Sequence, residues 1–111
     1  MSLQIDLSRS DHARVRFVVD ANDHPGVVSV VGSFNGWTAG LDELFPQADG
    51  SRAVTVGVSY GEALTFRYLA ENGVWFDDPD ADEITAQGCR INATSLQRPA
   101  SVEAPPSADA M

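Results

Sequence analysis

Val27-Val-Ser-Val-Val-Gly-Ser-Phe-Asn-Gly-Trp37 joins a run of β-branched residues to a turn and then to an aromatic side chain. Alternation along this run is typical of a strand, with Val28 and Val30 on one face. Gly32 ends the run, and its missing side chain allows the backbone to bend or to approach a neighbouring strand closely. The segment therefore predicts a buried strand that ends in a corner.

The corner carries a turn signal followed by a tryptophan. Asn35-Gly36 is a pair that tolerates positive φ angles, and Trp37 comes directly after it. A tryptophan in this position either caps the core or stands on the surface, and its chemistry alone leaves both alternatives open.

Alternating apolar residues predict further strands on both sides of this segment. They cover residues 3–7, 13–19, 53–58, 64–70, 74–76 and 90–96, with turn residues between them. No helical period is evident, so residues 1–96 are predicted to form an all-β domain, an antiparallel β-sandwich. The predicted core contains Val15, Phe17, Val28, Val30, Val54, Val56, Phe66 and Tyr68.

Two segments lack this alternation. Residues 38–50 are predicted to be a long loop that Leu41, Leu44 and Phe45 anchor to the core. Residues 97–111 are rich in Ala, Pro and Ser, with no pattern of apolar residues, which predicts a flexible C-terminal tail.

Composition limits the classes of partner. The 111 residues suit a single domain, and the formal net charge is −9, with seven arginines as the only Lys or Arg residues. An acidic balance argues against nucleic acid and anionic membranes, because phosphate binding needs clustered cations. Neither a signal peptide nor an apolar run of spanning length is visible, and the single Cys89 fits a reducing compartment, so a cytoplasmic location is expected.

The run Gly32-Ser-Phe-Asn-Gly-Trp37 resembles the G-(S/D)-F-N-x-W signature of glycogen-binding domains, the family-48 carbohydrate-binding modules. These domains occur in AMP-activated kinase β subunits and at the N-terminus of isoamylases and branching enzymes. The resemblance extends over about residues 12–96. Its further pieces follow in order as Asp49-Gly50, Tyr60-Gly61-Glu62, Phe66-Arg67-Tyr68, Asn72-Gly73-Val74-Trp75, Asp78-Pro79 and Asn92.

The resemblance implies an immunoglobulin-like, early-set sandwich that binds α-1,4-linked glucan without catalysing a reaction. The family's binding positions correspond here to Trp37, Arg67, Trp75 and Asn92. The chemistry agrees, because a flat indole matches the C–H face of a sugar ring and a guanidinium donates to its hydroxyls. The structural alternative is that both tryptophans cap the core and Arg67 is an ordinary solvated residue.

One position departs from the family. In the kinase β subunits, an apolar residue from the loop before the last strand enters the glucan coil. The corresponding position is Gly88, which has no side chain to do so.

The acidic run at Asp77, Asp78, Asp80, Asp82 and Glu83 suggests two further chemistries, calcium binding and glycoside hydrolysis. The run does not match the calcium-binding loop of an EF-hand, which needs glycine at its sixth position and glutamate at its twelfth. Counted from Asp78, these positions hold Glu83 and Cys89. A glycosidase needs two carboxyl groups across a cleft, with one pKa raised by burial, and no residue pattern indicates such a pair. A solvated acidic turn is preferred, and no catalytic role is assigned to His12 or His24.

Two functional hypotheses therefore remain, and neither requires a metal or a cofactor. The first is a glucan-binding module that is not an enzyme. The second is a protein-interaction or regulatory domain with the same fold, whose partner is a glucan-metabolising enzyme or a kinase-like complex. The two hypotheses differ in one expectation: glucan binding requires that Trp37, Trp75 and Arg67 form a single exposed surface.

Overall fold

A computed structural model describes residues 2–20, 22, 26–71 and 73–97 of the chain. Nine strands form two antiparallel sheets. In chain order they are β1 (Ser2–Asp6), β2 (Ala13–Val19), β3 (Val28–Gly32), β4 (Phe45–Pro46), β5 (Arg52–Val58), β6 (Leu64–Ala70), β7 (Trp75–Phe76), β8 (Glu83–Thr85) and β9 (Gly88–Ile91). Two short 3-10 helices, Ser33–Asn35 and Ala93–Leu96, follow β3 and β9.

The strand order confirms the predicted immunoglobulin-like sandwich. The first sheet has the order β1-β2-β5-β4, and the second has the order β3-β6-β9-β8, with β7 pairing β6. If β3 is called strand C, these orders are the A-B-E-D and C-F-G arrangements of an immunoglobulin constant-type domain. β7 and β8 are additions between strands F and G.

The core lies between the two sheets and contains the predicted residues. Seven of the eight are buried, and Val54 is a partly buried residue packed against the same cluster. The ring centroids of Phe17 and Phe66 are 4.9 Å apart in an edge-to-face contact, with Tyr68 beside both. Burial of each large apolar side chain stabilises the fold by about 1.5–3 kcal/mol, so these three aromatic residues provide a substantial part of the stability of the core.

Gly32 makes the close approach that its position predicts. A Cβ atom there would lie 2.4 Å from the carbonyl oxygen of Thr65 and 2.9 Å from Cβ of Phe66. The backbone of Gly32 is extended, so the constraint is steric and comes from the neighbouring strand β6.

The segment after the corner crosses from one sheet to the other. The amide of Val30 donates to Asp42, and the amide of Leu44 donates to Val28, so the segment first covers the edge of β3. It then continues as β4, which pairs with β5 in the other sheet.

Of the three predicted anchors in this segment, only Leu44 is buried. Leu41 and Phe45 are 64% and 62% exposed, so their prediction as anchors was wrong. Because successive side chains of an extended segment point to opposite sides, burying Leu44 turns Phe45 outward.

The end of the domain also differs from the prediction. The last strand stops at Ile91, and residues 93–96 form a 3-10 helix instead of continuing the strand. Asp82 causes the change of direction, because its carboxylate accepts from the backbone amide of Asn92 (2.8 Å) and from the hydroxyl of Ser95 (2.7 Å). Leu96 is fully buried at the end of this helix.

Several predicted features lie outside the described residues. They are the tail over residues 98–111, the loop position His24 and the turn position Asn72. Within the described ranges, no helix has the length and apolar character that crossing a bilayer requires.

Candidate functional site

The Phe-Asn-Gly-Trp turn is fastened to the core by its phenylalanine. Phe34 lies in the 3-10 helix after β3, and its ring is stacked at 5.9 Å from Phe17. This contact ties the turn to the middle of the sandwich.

The asparagine of the turn organises the backbone around it. Its side-chain oxygen accepts from the amide of Gly32 (3.0 Å), and its amide group donates to the carbonyl of Val30 (3.1 Å) and to the carboxylate of Asp42 (2.8 Å). Asn35 therefore joins the end of β3 to the crossing segment, which explains why this residue type suits the turn.

Trp37 is held in a conformation that few residues adopt. Its φ angle is 59°, directly after Gly36 at 65°, and its amide donates to the carbonyl of Gly32 (2.9 Å). A left-handed conformation costs a residue with a side chain about 1–2 kcal/mol. The indole is 45% exposed, so the turn holds a large apolar side chain at the surface and Trp37 does not cap the core.

Arg67 and Trp75 share the outer face of the second sheet. Burial alternates along β6, with the even-numbered residues inside, so Arg67 and Leu69 point outward. Leu69 pairs directly with Trp75, and directly opposed residues lie on the same face. Trp75 is 49% exposed, one strand away from Arg67 and two residues further along the sheet.

The guanidinium of Arg67 is anchored by the β8–β9 hairpin and by the preceding loop. It donates to the carbonyl of Ala86 (3.0 Å), and its Nε lies 3.5 Å from the carboxylate of Asp77. Nε is buried and makes no hydrogen bond in the structure. The charge is therefore held in place by an ion pair and one hydrogen bond.

Gly88 lies beneath this arginine. A Cβ atom there would come within 2.9 Å of Cγ of Arg67 and 2.6 Å of the carbonyl oxygen of Phe66. Its φ angle is +136°, which favours glycine as well. The glycine that departs from the family pattern is thus matched to the path of the arginine side chain.

Asn92 lies at a different level of the second sheet from Trp75. It follows Ile91, which pairs with Leu64, whereas Trp75 pairs with Leu69. Leu64 and Leu69 are five residues apart along β6, which corresponds to about 17 Å. The side-chain oxygen of Asn92 accepts from Nε of Arg90 (3.0 Å).

The acidic run between β7 and β8 is not wholly solvated, which corrects the prediction. Asp78 is fully buried, accepts a hydrogen bond from the hydroxyl of Tyr68 (2.7 Å) and accepts another from the amide of Asp80 (2.9 Å). Burial raises the pKa of Asp78, against the opposing effect of the Tyr68 hydrogen bond. Burial also raises the pKa of Tyr68, with the Asp78 charge adding to the effect.

Cys89 connects this buried carboxylate to the arginine site. Its sulfur accepts from the amide of Asp78 (2.9 Å) and lies 3.5 Å from the carboxylate of Asp77. Burial raises the pKa of the Cys89 thiol to about 12, so the thiolate that reacts with oxidants or metals does not form near neutral pH.

Sequence patterns did not indicate the supports of the site. Asp77 was treated as one charge in an acidic run, and no local signal shows that it faces Arg67, ten residues earlier in the chain. Among the residues described, no three His, Cys, Asp or Glu side chains are grouped as metal ligands. His12 contacts the neighbouring carboxylate of Asp11 at 2.8 Å.

Comparison of the sequence with known protein families finds no matching family, and comparison with curated proteins finds no match.

Proposed function

We propose that this domain binds α-1,4-linked glucan, of the glycogen or starch type, without catalysing a reaction. Two half-exposed tryptophans and one anchored arginine support this proposal. Along β6, Trp75 pairs with Leu69, and Trp37 is hydrogen-bonded to Gly32, which pairs with Phe66. Arg67 lies on β6 between Phe66 and Leu69. Indole faces stack on the C–H faces of sugar rings, and the arginine donates to hydroxyl groups. The backbone strain at Trp37 supports a surface role, because strain of this kind concentrates at functional sites.

The arrangement suits an extended oligosaccharide. Trp75, Arg67 and Asn92 follow one another along the direction of β6, over a length that a single sugar ring does not cover. An open surface for a well-hydrated ligand gives modest affinity, with dissociation constants of about ten micromolar to one millimolar. Stacking contributes most, because hydrogen bonds to hydroxyls replace similar bonds to water.

Isothermal titration with maltoheptaose tests the proposal, with cellohexaose as the β-linked control. We expect heat with maltoheptaose only, and the loss of that heat in Trp37→Ala and Trp75→Ala. Leu41→Ala is the matched control, because it also removes a large exposed side chain of the same region and should leave binding unchanged. Absence of heat with both sugars, for a protein with an intact fold, would refute glucan binding.

A second candidate function is supported by Leu41 and Phe45. Both are large apolar side chains that the crossing segment leaves mostly exposed, which is typical of surfaces that contact another protein. In this case the domain docks a glucan-metabolising protein in the cytoplasm, a reducing compartment that suits the single buried thiol. Leu41→Ala and Phe45→Ala would then weaken that complex and leave maltoheptaose titrations unchanged.

A further inference from the structure

The outer face of the first sheet carries a groove that the glucan site does not use. Two cross-strand rows form it, one with Gln4, Arg16 and Thr55, the other with Asp6, Arg14 and Gly57. The groove has a volume of about 410 Å³ and is lined by Gln4, Ile5, Asp6, Arg14, Arg16 and Thr55. This volume lies within the range of small-molecule sites, about 300–1,000 Å³, and near its lower end.

Both arginines of the groove lack a carboxylate in contact. In the described part of the chain, no acidic oxygen lies within 4.0 Å of either guanidinium. Among the described residues, Arg16 donates two long hydrogen bonds to neutral oxygens, to Gln4 at 3.3 Å and to Gln47 at 3.5 Å. The arginines of the other sheet differ, since Arg67 and Arg90 each face an acidic partner.

The acidic residue that lines the groove, Asp6, makes a hydrogen bond at the end of its own strand. Asp6 lies opposite Arg14 in the strand register, but its carboxylate accepts from the amide of Ser8 at 2.9 Å. The hydrogen bonds from Ser8, and then the charges of Arg9 and Arg14, lower the pKa of Asp6. Among the described residues no carboxylate contacts either arginine, although the chain has 16 acidic residues and a net charge of −9.

We propose that this groove binds the phosphate monoester of a small hydroxylated molecule, such as a monosaccharide phosphate. A phosphate monoester carries about two negative charges near neutral pH, and Arg14 and Arg16 supply two positive charges, while the carboxylate of Asp6 in the same groove opposes the anion and lowers the affinity. Two guanidiniums offer forks of N–H donors that match the terminal oxygens of phosphate.

The rest of the groove suits the remainder of such a ligand. The amide of Gln4 and the hydroxyl of Thr55 can bond to hydroxyl groups. Gly57, opposite Arg14, has no side chain of its own, and the ring of His12 lies beside it, 3.2 Å from where a Cβ atom would be. The net negative charge of the protein opposes the approach of an anion, so modest affinity is expected.

Amide chemical shifts of the full chain, followed by NMR, test the proposal at constant ionic strength. The probes are glucose 6-phosphate, inorganic phosphate and glucose. We expect glucose 6-phosphate to shift amides of β1, β2 and β5 with a dissociation constant on the order of one millimolar. It should bind at least about threefold more tightly than inorganic phosphate, a difference of about 0.65 kcal/mol.

Charge-removing variants locate the site. Arg14→Gln and Arg16→Gln should each weaken glucose 6-phosphate binding at least about fivefold, a loss of about 1 kcal/mol. Arg90→Gln removes the same charge from the second sheet, away from the groove, and it should change the affinity less than about twofold. Circular dichroism checks the fold, and Thr55→Val replaces any arginine variant that does not fold, with a smaller expected loss.

Three results would overturn the proposal. Equal shifts with glucose and glucose 6-phosphate would exclude recognition of the phosphate. Equal affinity for inorganic phosphate would exclude a contribution from the sugar. Equal losses in Arg90→Gln and Arg16→Gln would mean that net charge, and not the groove, is responsible.

Discussion

The side chain of Asn35 stabilises the backbone conformation of Trp37. It accepts one hydrogen bond and donates two, and these hold the turn in which Trp37 has a positive φ angle and an exposed indole. Asn35→Ala should therefore weaken glucan binding even though its side chain is turned toward the protein. The surrounding contacts offset the free-energy cost of the left-handed conformation at Trp37.

Gly32 is the position where an added methyl group should cost most. Gly32→Ala puts a Cβ atom 2.4 Å from a backbone oxygen, and we expect the free energy of unfolding to fall by about 3 kcal/mol. The control is Gly57→Ala, where a Cβ atom meets only the ring of His12 at 3.2 Å. Denaturant unfolding of both variants gives the comparison, and equal losses would mean that the close approach to β6 does not limit this position.

Asp78 should matter for stability more than its place in an acidic run suggests. Asp78→Ala leaves the buried hydroxyl of Tyr68 without its acceptor, which should cost about 2 kcal/mol of unfolding free energy. Asp80→Ala, at an exposed neighbour in the same run, is the control and should change stability little. A double variant with Tyr68→Phe should lose less than the sum of the single losses, because the two groups act as a pair.

The raised pKa of Asp78 also predicts a pH dependence. The folded protein holds this proton more tightly than the unfolded chain does, so the group stabilises the fold fully below its ordinary value of 3.8. That contribution disappears as pH rises through the folded pKa. We therefore expect the stability of the natural protein, relative to Asp78→Asn, to be highest at low pH and to decline as pH increases. A difference that grows with pH would contradict the assignment.

Strand β6 contributes both to the core and to the candidate site. Its even-numbered side chains pack in the core, and its odd-numbered side chains, which include Arg67, point to the outer face. The β8–β9 hairpin then supplies a carbonyl and a glycine that guide the arginine, and the loop after β7 supplies Asp77. The hairpin therefore belongs to the candidate site although none of its side chains was predicted to contact glucan.

Restoring an apolar residue at Gly88 should not create a glucan contact here. Gly88→Leu would collide with the carbonyl of Phe66 and with Arg67, so we expect lower stability and weaker maltoheptaose binding together. Gly88→Ala is compared with Gly73→Ala, which also has a positive φ (+83°, against +136° at Gly88) but nothing within 4 Å of an added Cβ atom. We expect the first to cost about 1–3 kcal/mol more than the second. Tighter binding by Gly88→Leu would refute this account of the position.

For the molecule as a whole, the boundary of the folded domain should fall just after Leu96. Its side chain is fully buried, and its carbonyl accepts from the amide of Gly61 at 2.9 Å. Removing residues 93–111 should therefore lower the unfolding free energy by at least about 2 kcal/mol. Removing only residues 98–111, which are mostly Ala, Pro and Ser, should leave both the melting temperature and glucan binding unchanged. A lower melting temperature for the shorter deletion would show that the tail docks on the sandwich.

The two sheets also divide the proposed functions between opposite faces. Of the residues proposed to bind glucan, Arg67 and Trp75 lie on the outer face of the second sheet, and the arginine groove lies on the outer face of the first, with the aromatic core between them. Variants in one site should therefore be nearly additive with variants in the other, since they share no contacts.

The strands, the core and the turn before Trp37 follow from the order of residues along the chain. Alternation in 13–19 and 64–70 specifies which side chains face inward, because successive side chains of a strand point to opposite sides. The turn pair Asn35-Gly36 likewise acts within a few residues of itself. Local patterns of this kind are sufficient to predict the sandwich and the residues of its core.

Contacts between distant parts of the chain settle the rest. The burial of Asp78 depends on Tyr68, the end of β9 depends on Asp82, and the direction of Arg67 depends on Asp77 and Ala86. The exposure of Leu41 and Phe45 results from a crossing between sheets that composition does not reveal. In each case the partner is brought near only when the sheets assemble, and no periodicity encodes which polar group it will meet.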